Sequence, residues 1–476
     1  MFFGTEEAVK KCEKFILERQ YAMKTFRPYK ELFRYVPIVF GNSSVVNSTM
    51  NKLCFLFLMF ISLTIVKAQQ AALQDTIPQF TTTEFDSTRQ SAAALNKTIS
   101  ELKKITIAGF IQSQYQSAES DGIDSYAGGN FSPGMHNRFL IRRGQLKFTY
   151  NNTSTRFVFQ IESNGRNIFL KDAYAYIMDP WLNTIALKVG AFDRPFGFEI
   201  AYSSAKRESP ERSRLFQTLF PHDADLGASV EITPKLELLS FMNFKGGFFG
   251  GNGINPEVDN HKDFIGRLGI HHSLLIIRGD LDFGVSAYWG KVKRPNGKTI
   301  YTINSPDFSA GNTTEEWANR DYLGYDLEIK SALPMLGNLS LRAEYISGTQ
   351  PGFTATSSSS PTASPTDNLY VRNFAGYYLI YIQNIGETNR LILKYDVYDP
   401  NRDVDGNQVW HLLTAKLGPG DIEYSTFAVG WIYSWDVNVS FMGYYEIVRN
   451  EATAYILGYE KDINDNVFTL RLQYAF

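Results

Sequence analysis

The last ten residues, Val467-Phe-Thr-Leu-Arg-Leu-Gln-Tyr-Ala-Phe476, alternate without a break. Phe468, Leu470, Leu472, Tyr474 and Phe476 fall on one face of an extended chain, and Val467, Thr469, Arg471, Gln473 and Ala475 fall on the other. Such period-two alternation describes a strand with one apolar and one wetter face. The pattern recurs upstream. Leu339, Leu341, Ala343 and Tyr345 oppose Ser340, Arg342 and Glu344, and Leu391, Leu393, Tyr395 and Val397 oppose Arg390, Lys394 and Asp396. An ordinary strand of a soluble sheet shows the same alternation, so the rest of the chain must decide between a sandwich and a barrel.

Beyond residue 68 no apolar run approaches the roughly 20 residues of a membrane helix. If the chain crosses a membrane, it must do so as a closed barrel, which leaves no backbone group unpaired. Sixteen strands are predicted, over 105–117, 138–151, 154–163, 168–178, 183–192, 226–232, 235–247, 262–271, 279–292, 320–332, 337–348, 373–385, 389–399, 423–435, 437–449 and 466–476. The links after even-numbered strands are mostly short, as at Asn152-Thr153, Thr233-Pro234 and Asp436. Those after odd-numbered strands are mostly long: 118–137, 193–225, 248–261, 293–319, 349–372, 400–422 and 450–465. Only the link near Asn164-Gly165 breaks the rule. Sorting by parity is expected of an all-β, sixteen-stranded antiparallel transmembrane β-barrel with short periplasmic turns and long extracellular loops. Tyr377, Tyr378, Tyr381, Trp431, Tyr433, Trp435, Tyr444 and Tyr445 crowd near strand ends, as interfacial aromatic girdles do. Cross-strand pairs of any β-protein remain the alternative for them.

Near the start, Met50-Asn-Lys52 precedes the apolar run Leu53–Val66 and then Lys67-Ala68-Gln69. A basic start, an apolar stretch of this length and a Val-x-Ala site describe a secretory leader over 50–68. Residues 1–49 are then expected to be a spurious upstream extension, with a cytoplasmic extension and a signal anchor at 53–66 as the rival. Cys54 lies inside the apolar run, unlike a lipoprotein cysteine. Without residues 1–68 the chain has neither cysteine, and 37 Lys and Arg stand against 44 Asp and Glu, a net charge of −7. Net acidity argues against nucleic acid as a partner. Residues 69–104 are expected to form a short periplasmic segment, in part helical through Ala92, Leu95, Ile99 and Leu102. The barrel domain is expected over 105–476.

Catalytic constellations are missing, and no enzyme, metal site or cofactor is expected. Ser203-Ser-Ala-Lys206 matches S-x-x-K without its companion motifs. The six histidines lack zinc spacing, and the Gly-rich stretch 246–253 lacks the Lys-Ser/Thr of a P-loop. Charge is more informative. Arg143, Gln145 and Lys147 oppose Leu146, Phe148 and Tyr150, while Arg142 falls on the apolar face near the loop end, where it is expected to snorkel outward. A charge facing lipid costs about 2–4 kcal/mol near the midplane, so Arg143, Lys147, Arg156, Arg267, Arg342, Arg390 and Lys394 are expected to line the lumen. A basic wall of low dielectric draws anions. A mixed-charge lumen is equally open, through Glu162, Asp172, Glu237, Glu344 and Asp396.

Three stretches resemble the phosphate-selective porin O and P family. Lys188-Val-Gly-Ala-Phe-Asp-Arg-Pro-Phe-Gly-Phe-Glu199 is similar to its G-x-F-x-x-P-F-G-x-E segment; Glu208-Ser-Pro-Glu-Arg-Ser213 and Leu226-Gly-Ala resemble its E-R-S … G run. Pro195, Phe196, Gly197, Glu199 and Glu211 with Arg212 are the most specific matches. The resemblance implies a homotrimeric porin of the bacterial outer membrane, set in lipid, whose third external loop folds into the pore. That loop would be 193–225, with Arg194, Lys206, Arg207, Arg212 and Arg214 as its cations. A terminal aromatic such as Phe476 is what the barrel-assembly machinery reads in such proteins. Five basic residues against six acidic ones in 193–225 depart from an arginine-rich pattern. The expected function is passive diffusion of small solutes with a modest anion, possible phosphate, preference. A barrel enzyme or a non-conducting adhesin is the alternative.

Overall fold

Alternating residues close into a barrel when every strand pairs on both sides, and this chain does so. In the computed structural model the strands are β1 (Ile105–Ala118), β2 (Asn137–Asn151), β3 (Thr155–Ser163), β4 (Ile168–Met178), β5 (Ile185–Asp193), β6 (Ala224–Ile232), β7 (Met242–Phe249), β8 (Asp263–Leu274) and β9 (Gly279–Lys293). They continue as β10 (Ile300–Ile303), β11 (Ser309–Asn312), β12 (Trp317–Leu333), β13 (Gly337–Gly352), β14 (Leu369–Ile385), β15 (Asn389–Asp399), β16 (Tyr424–Ser434), β17 (Val439–Asn450) and β18 (Val467–Ala475). Sixteen of them form a closed antiparallel wall. Each pairs with its neighbour, β9 pairs directly with β12, and β1 closes onto β18 from Phe110↔Ala475 to Ala118↔Val467. The hairpin β10–β11 lies outside the ring, with β10 running parallel to the start of β14.

The structure describes residues 91, 94–221, 223–274, 278–303, 309–312, 314–333, 337–357, 367–409 and 417–476. The expected extension 1–49, the leader 50–68, both cysteines, His222, His411 and most of the Ser/Thr/Pro tract lie outside these residues. Residues 94–102 are helical, immediately before β1.

The wall is inverted relative to a soluble protein. On β18, Phe468, Leu470, Leu472 and Tyr474 are exposed, whereas Thr469 and Arg471 are buried, Arg471 at 4%. On β1 the buried face is Gln112, Gln114 and Gln116. Burying amides and guanidiniums while exposing leucines is stable only where hydrocarbon bathes the outside. Long links rise from one rim and short turns close the other.

Two expectations need correction. The strand predicted over 235–247 starts at Met242, because Glu237–Leu239 forms a 3-10 turn. Glu237 therefore sits in a rim turn and not on the lumen wall. Among the girdle aromatics, Tyr378 and Tyr444 point inward and are buried, while their neighbours Tyr377 and Tyr445 face out. Adjacent strand residues must take opposite faces, so an aromatic pair always splits between lipid and lumen.

Candidate functional site

The segment between β5 and β6 enters the barrel and is bolted to the wall around its circumference. Its ends are tied together: Arg194 Nε lies 3.0 Å from Asp225, and the Arg194 N–H donates to the Asp223 carbonyl at 3.2 Å. Gly197 then adopts φ +61°, a conformation that favours glycine. A Cβ there would run into the Glu344 carboxylate. With none present, Glu344 on β13 accepts the N–H groups of Phe198 and Glu199, both at 2.7 Å, and the Tyr378 hydroxyl at 2.6 Å. The Gly197 N–H donates to Ser286 Oγ on β9 at 2.9 Å. Glu199 in turn accepts the Ser213 hydroxyl at 2.7 Å, and its N–H at 3.1 Å, just before α1 (Arg214–Leu219), and lies 3.5 Å from Lys394. Gly197 and Glu199 therefore act as scaffolding for the loop.

One half of the lumen is filled. Phe196, Ile200, Leu215, Phe216, Leu219 and Phe220 of the inserted segment pack against inward Phe249, Ile265, Tyr288, Tyr322, Phe374 and Tyr378. Ring centroids lie 5.3 Å apart for Phe196 and Phe220, 5.8 Å for Phe220 and Tyr322, and 6.1 Å for Phe216 and Tyr378. Buried aromatic contacts of this kind exclude water from the β5–β14 side.

The opposite side is polar. Gln112 and Gln473 donate to the carbonyls of Ser204 and Ala205 at 3.0 and 2.9 Å, and Arg471 donates to the Pro210 carbonyl at 3.0 Å. Glu211 is the hub. Arg142 grips it with Nε at 2.6 Å and Nη2 at 2.8 Å, Arg143 with Nη2 at 2.7 Å, and Arg471 lies 3.5 Å away. Arg142 does not snorkel outward. A bulge between Gln112 and Ser113 pairs Arg143 and Ile141 with successive β1 residues, so Arg142 is the extra residue. A bulge breaks the alternation and re-aims a side chain, and adjacent Arg142 and Arg143 both face Glu211. Between this loop and β2–β4 lies a cavity of about 520 Å³, whose charged lining is Arg142, Arg143, Lys171 and Arg212 against Glu162, Glu211 and Asp223.

Most expected lumen cations are inward but paired. Arg267 binds both Asp326 oxygens, at 2.8 and 2.5 Å, crossing over Gly284, where any side chain would collide with the pair. Arg342 bridges Glu208 at 2.7 Å and Glu328 at 2.5 Å. Arg212 pairs with Asp223 and donates to the Glu199 and Ile200 carbonyls. Arg214 stacks between Tyr126 and Tyr424. Arg156 donates to Asn151 Oδ1 at 2.9 Å near the short-turn rim. Lys206 is exposed. Buried Arg207 donates to the Tyr202 carbonyl, and its Nε and Nη1 have no partner. Among the described residues no salt bridge involves Lys147, Arg156, Arg207 or Arg390, and no cluster of His, Cys, Asp and Glu is arranged to hold a metal. Sequence reasoning missed Arg142 and Arg471 as ligands of Glu211 and the inward tyrosines. The Gln112–Gln114–Gln116 ladder was a visible sign of a polar interior.

No protein-family model matches the chain, and no curated protein does. Solved bacterial channel and outer-membrane proteins are similar to it. OprB of Pseudomonas putida is 11% identical, with a TM-score of 0.51 over 80% of this chain and 96% of that chain. An anion-selective porin from Comamonas acidovorans is 12% identical, with a TM-score of 0.46 over 78% and 99%. The outer membrane channel DcaP of Acinetobacter baumannii is 11% identical, with a TM-score of 0.46 over 78% and 97%. At such identity the likeness to OprB is one of fold and of nothing beyond it.

Proposed function

We propose that the protein is a passive porin of the bacterial outer membrane, narrowed by residues 193–225 and weakly selective for anions. The observation that carries this reading is the inverted wall: an apolar exterior around a polar lumen that the chain's own loop bridges. Sixteen strands enclose more space than wall side chains fill, and here the loop reduces that space to one side. In this reading the long loops face outward, the short turns face the periplasm, and the stretch 50–68 serves for export. Kinship with the O and P porins and a homotrimeric assembly belong to the same reading, supported by the matches at Pro195-Phe196-Gly197, Glu199 and Glu211.

The preference for anions rests on a small surplus. The cavity beside β2–β4 carries four cations against three carboxylates; elsewhere Lys147, Arg207 and Arg390 have no salt bridge among the described residues, and neither have Asp172, Asp396 and Glu446. Carboxylates within a Debye length, about 8–10 Å at ordinary salt, offset much of the remaining field. Strong phosphate selectivity is not part of the proposal. Planar-bilayer recording tests it. Purified protein is expected to show stepwise conductance and a reversal potential on the chloride side in a potassium chloride gradient. Replacing Arg143 and Lys147 together by Glu is expected to move that potential toward potassium. No conductance from folded protein removes the channel reading, and a wild-type preference for potassium removes the anion reading.

A further inference from the structure

Outside the constriction the long loops enclose a second cavity of about 920 Å³, with Arg142, Arg214 and Gln217 on its floor. At its centre is a layered stack. The Arg214 guanidinium carbon lies 4.3 Å from the centroid of the Tyr126 ring and 3.6 Å from that of Tyr424, whose hydroxyl is 3.1 Å from the Tyr459 hydroxyl. The guanidinium covers one face of each ring and holds both rings in place. The result is a rigid floor of tyrosine rings.

The charges of the lining cancel. Arg142 is already paired with Glu211, so Arg214 and the paired Arg142 stand against Asp124 and Asp465 with no surplus of positive charge, unlike the cavity deeper in the barrel. Burial pushes the Asp465 carboxyl up to about 6, and the Arg214 guanidinium nearby opposes the rise. An ion entering such a lining gives up hydration for no net Coulomb gain. A neutral polyhydroxylated ring meets it better: its C–H face lies on a tyrosine, while each edge hydroxyl both donates and accepts. It therefore suits a lining that mixes the Asp124 and Asp465 carboxylates with the Arg214 guanidinium. The volume is within the range of small-molecule sites and admits one or two sugar rings.

We propose that this outer vestibule binds neutral sugars of one or two rings, holding them on the Tyr126–Arg214–Tyr424 and Tyr459 surface. The site stands apart from the anion reading and needs no conduction to be detected. The test titrates the full chain, purified in detergent, with sucrose and follows saturation transfer to the sugar protons by NMR. Saturable binding in the millimolar range is expected. Tyr459→Ala is expected to raise the half-saturating concentration about fivefold, the loss of one ring contact, while Tyr459→Phe, which keeps the ring, retains most of the binding. Absence of saturable sucrose binding by folded protein, or equal binding by wild type and Tyr459→Ala, overturns the proposal. So does displacement of sucrose by equimolar glycine or inorganic phosphate, which would assign the site to a charged solute. Protein that binds sucrose yet gives no current in a bilayer supports the site and overturns the channel reading instead.

Discussion

Glu344 is the residue whose removal says most about the inserted loop. It is 3% exposed and accepts three hydrogen bonds, two from the backbone N–H groups of Phe198 and Glu199 and one from Tyr378. Glu344→Ala leaves three donors without an acceptor. Leaving a buried donor without its acceptor costs about 1–3 kcal/mol. Tyr378 stays on the wall, so the loop itself loses the two backbone bonds, about 3–4 kcal/mol near the middle of that range. The wall does not depend on them, since β13 pairs with β12 and β14 through backbone bonds from Gly337 to Gly352. Nor do the loop's ends, held by Arg194 and Asp225. The turn 196–200 is therefore expected to leave the wall while the barrel stays folded, with the detached population rising about 10²- to 10³-fold. In a bilayer this appears as larger single-channel conductance and greater open-channel noise, and in solution as faster proteolysis at Lys206 or Arg207. Glu344→Gln keeps one acceptor oxygen and sets an NH2 against the other donor, so a smaller change of the same sign is expected. Folded Glu344→Ala protein with wild-type conductance, noise and protease resistance would refute the reasoning, showing that the aromatic contacts alone hold the loop.

Gly197→Ala is expected to have the same phenotype, because a left-handed φ costs an L residue about 1–2 kcal/mol and the new Cβ meets the Glu344 carboxylate. Combining it with Glu344→Ala should be less than additive in conductance, since the second change removes the clash. Glu211→Gln takes one negative charge from among Arg142, Arg143 and Arg471. The chloride-to-potassium permeability ratio from reversal potentials should rise about two- to fivefold, the effect of roughly 1 kcal/mol for a charge 4 Å away in water. At the short-turn rim, the N–H groups of Ile185, Leu182, Thr184 and Trp181 hold the Asp179 carboxyl down to about 2. A carboxyl depressed in the folded state contributes stability that is complete above its ordinary value of about 4 and is lost as the pH falls toward 2. Melting temperature should therefore decline over that interval in the wild type and decline less in Asp179→Asn, which should also melt lower at pH 7.

Alternation and parity are local properties, which is why strand existence, strand number and the sorting of long and short links were legible in the linear chain. Strand ends shifted by a few residues where a turn won, as at Glu237–Leu239. A period of two also told which residues share a face, and inward Arg143, Arg267, Arg342 and Lys394 follow from it. What alternation cannot contain is a residue that breaks it. Arg142 turned inward because one extra residue was inserted opposite β1, a choice made by pairing across two strands. Nor does a strand pattern say which carboxylate a lumen cation will meet. The partners Arg267 and Asp326 are 59 residues apart in the chain and Arg342 and Glu208 are 134 apart, brought together only when the wall closes and the loop folds in. The aromatic half of the lumen was hidden for the same reason. Tyr288, Tyr322, Phe374 and Tyr378 look like lipid-facing residues in isolation, and only the arrival of Phe196, Phe216 and Phe220 from a distant loop gives an apolar face inside the barrel something to pack against.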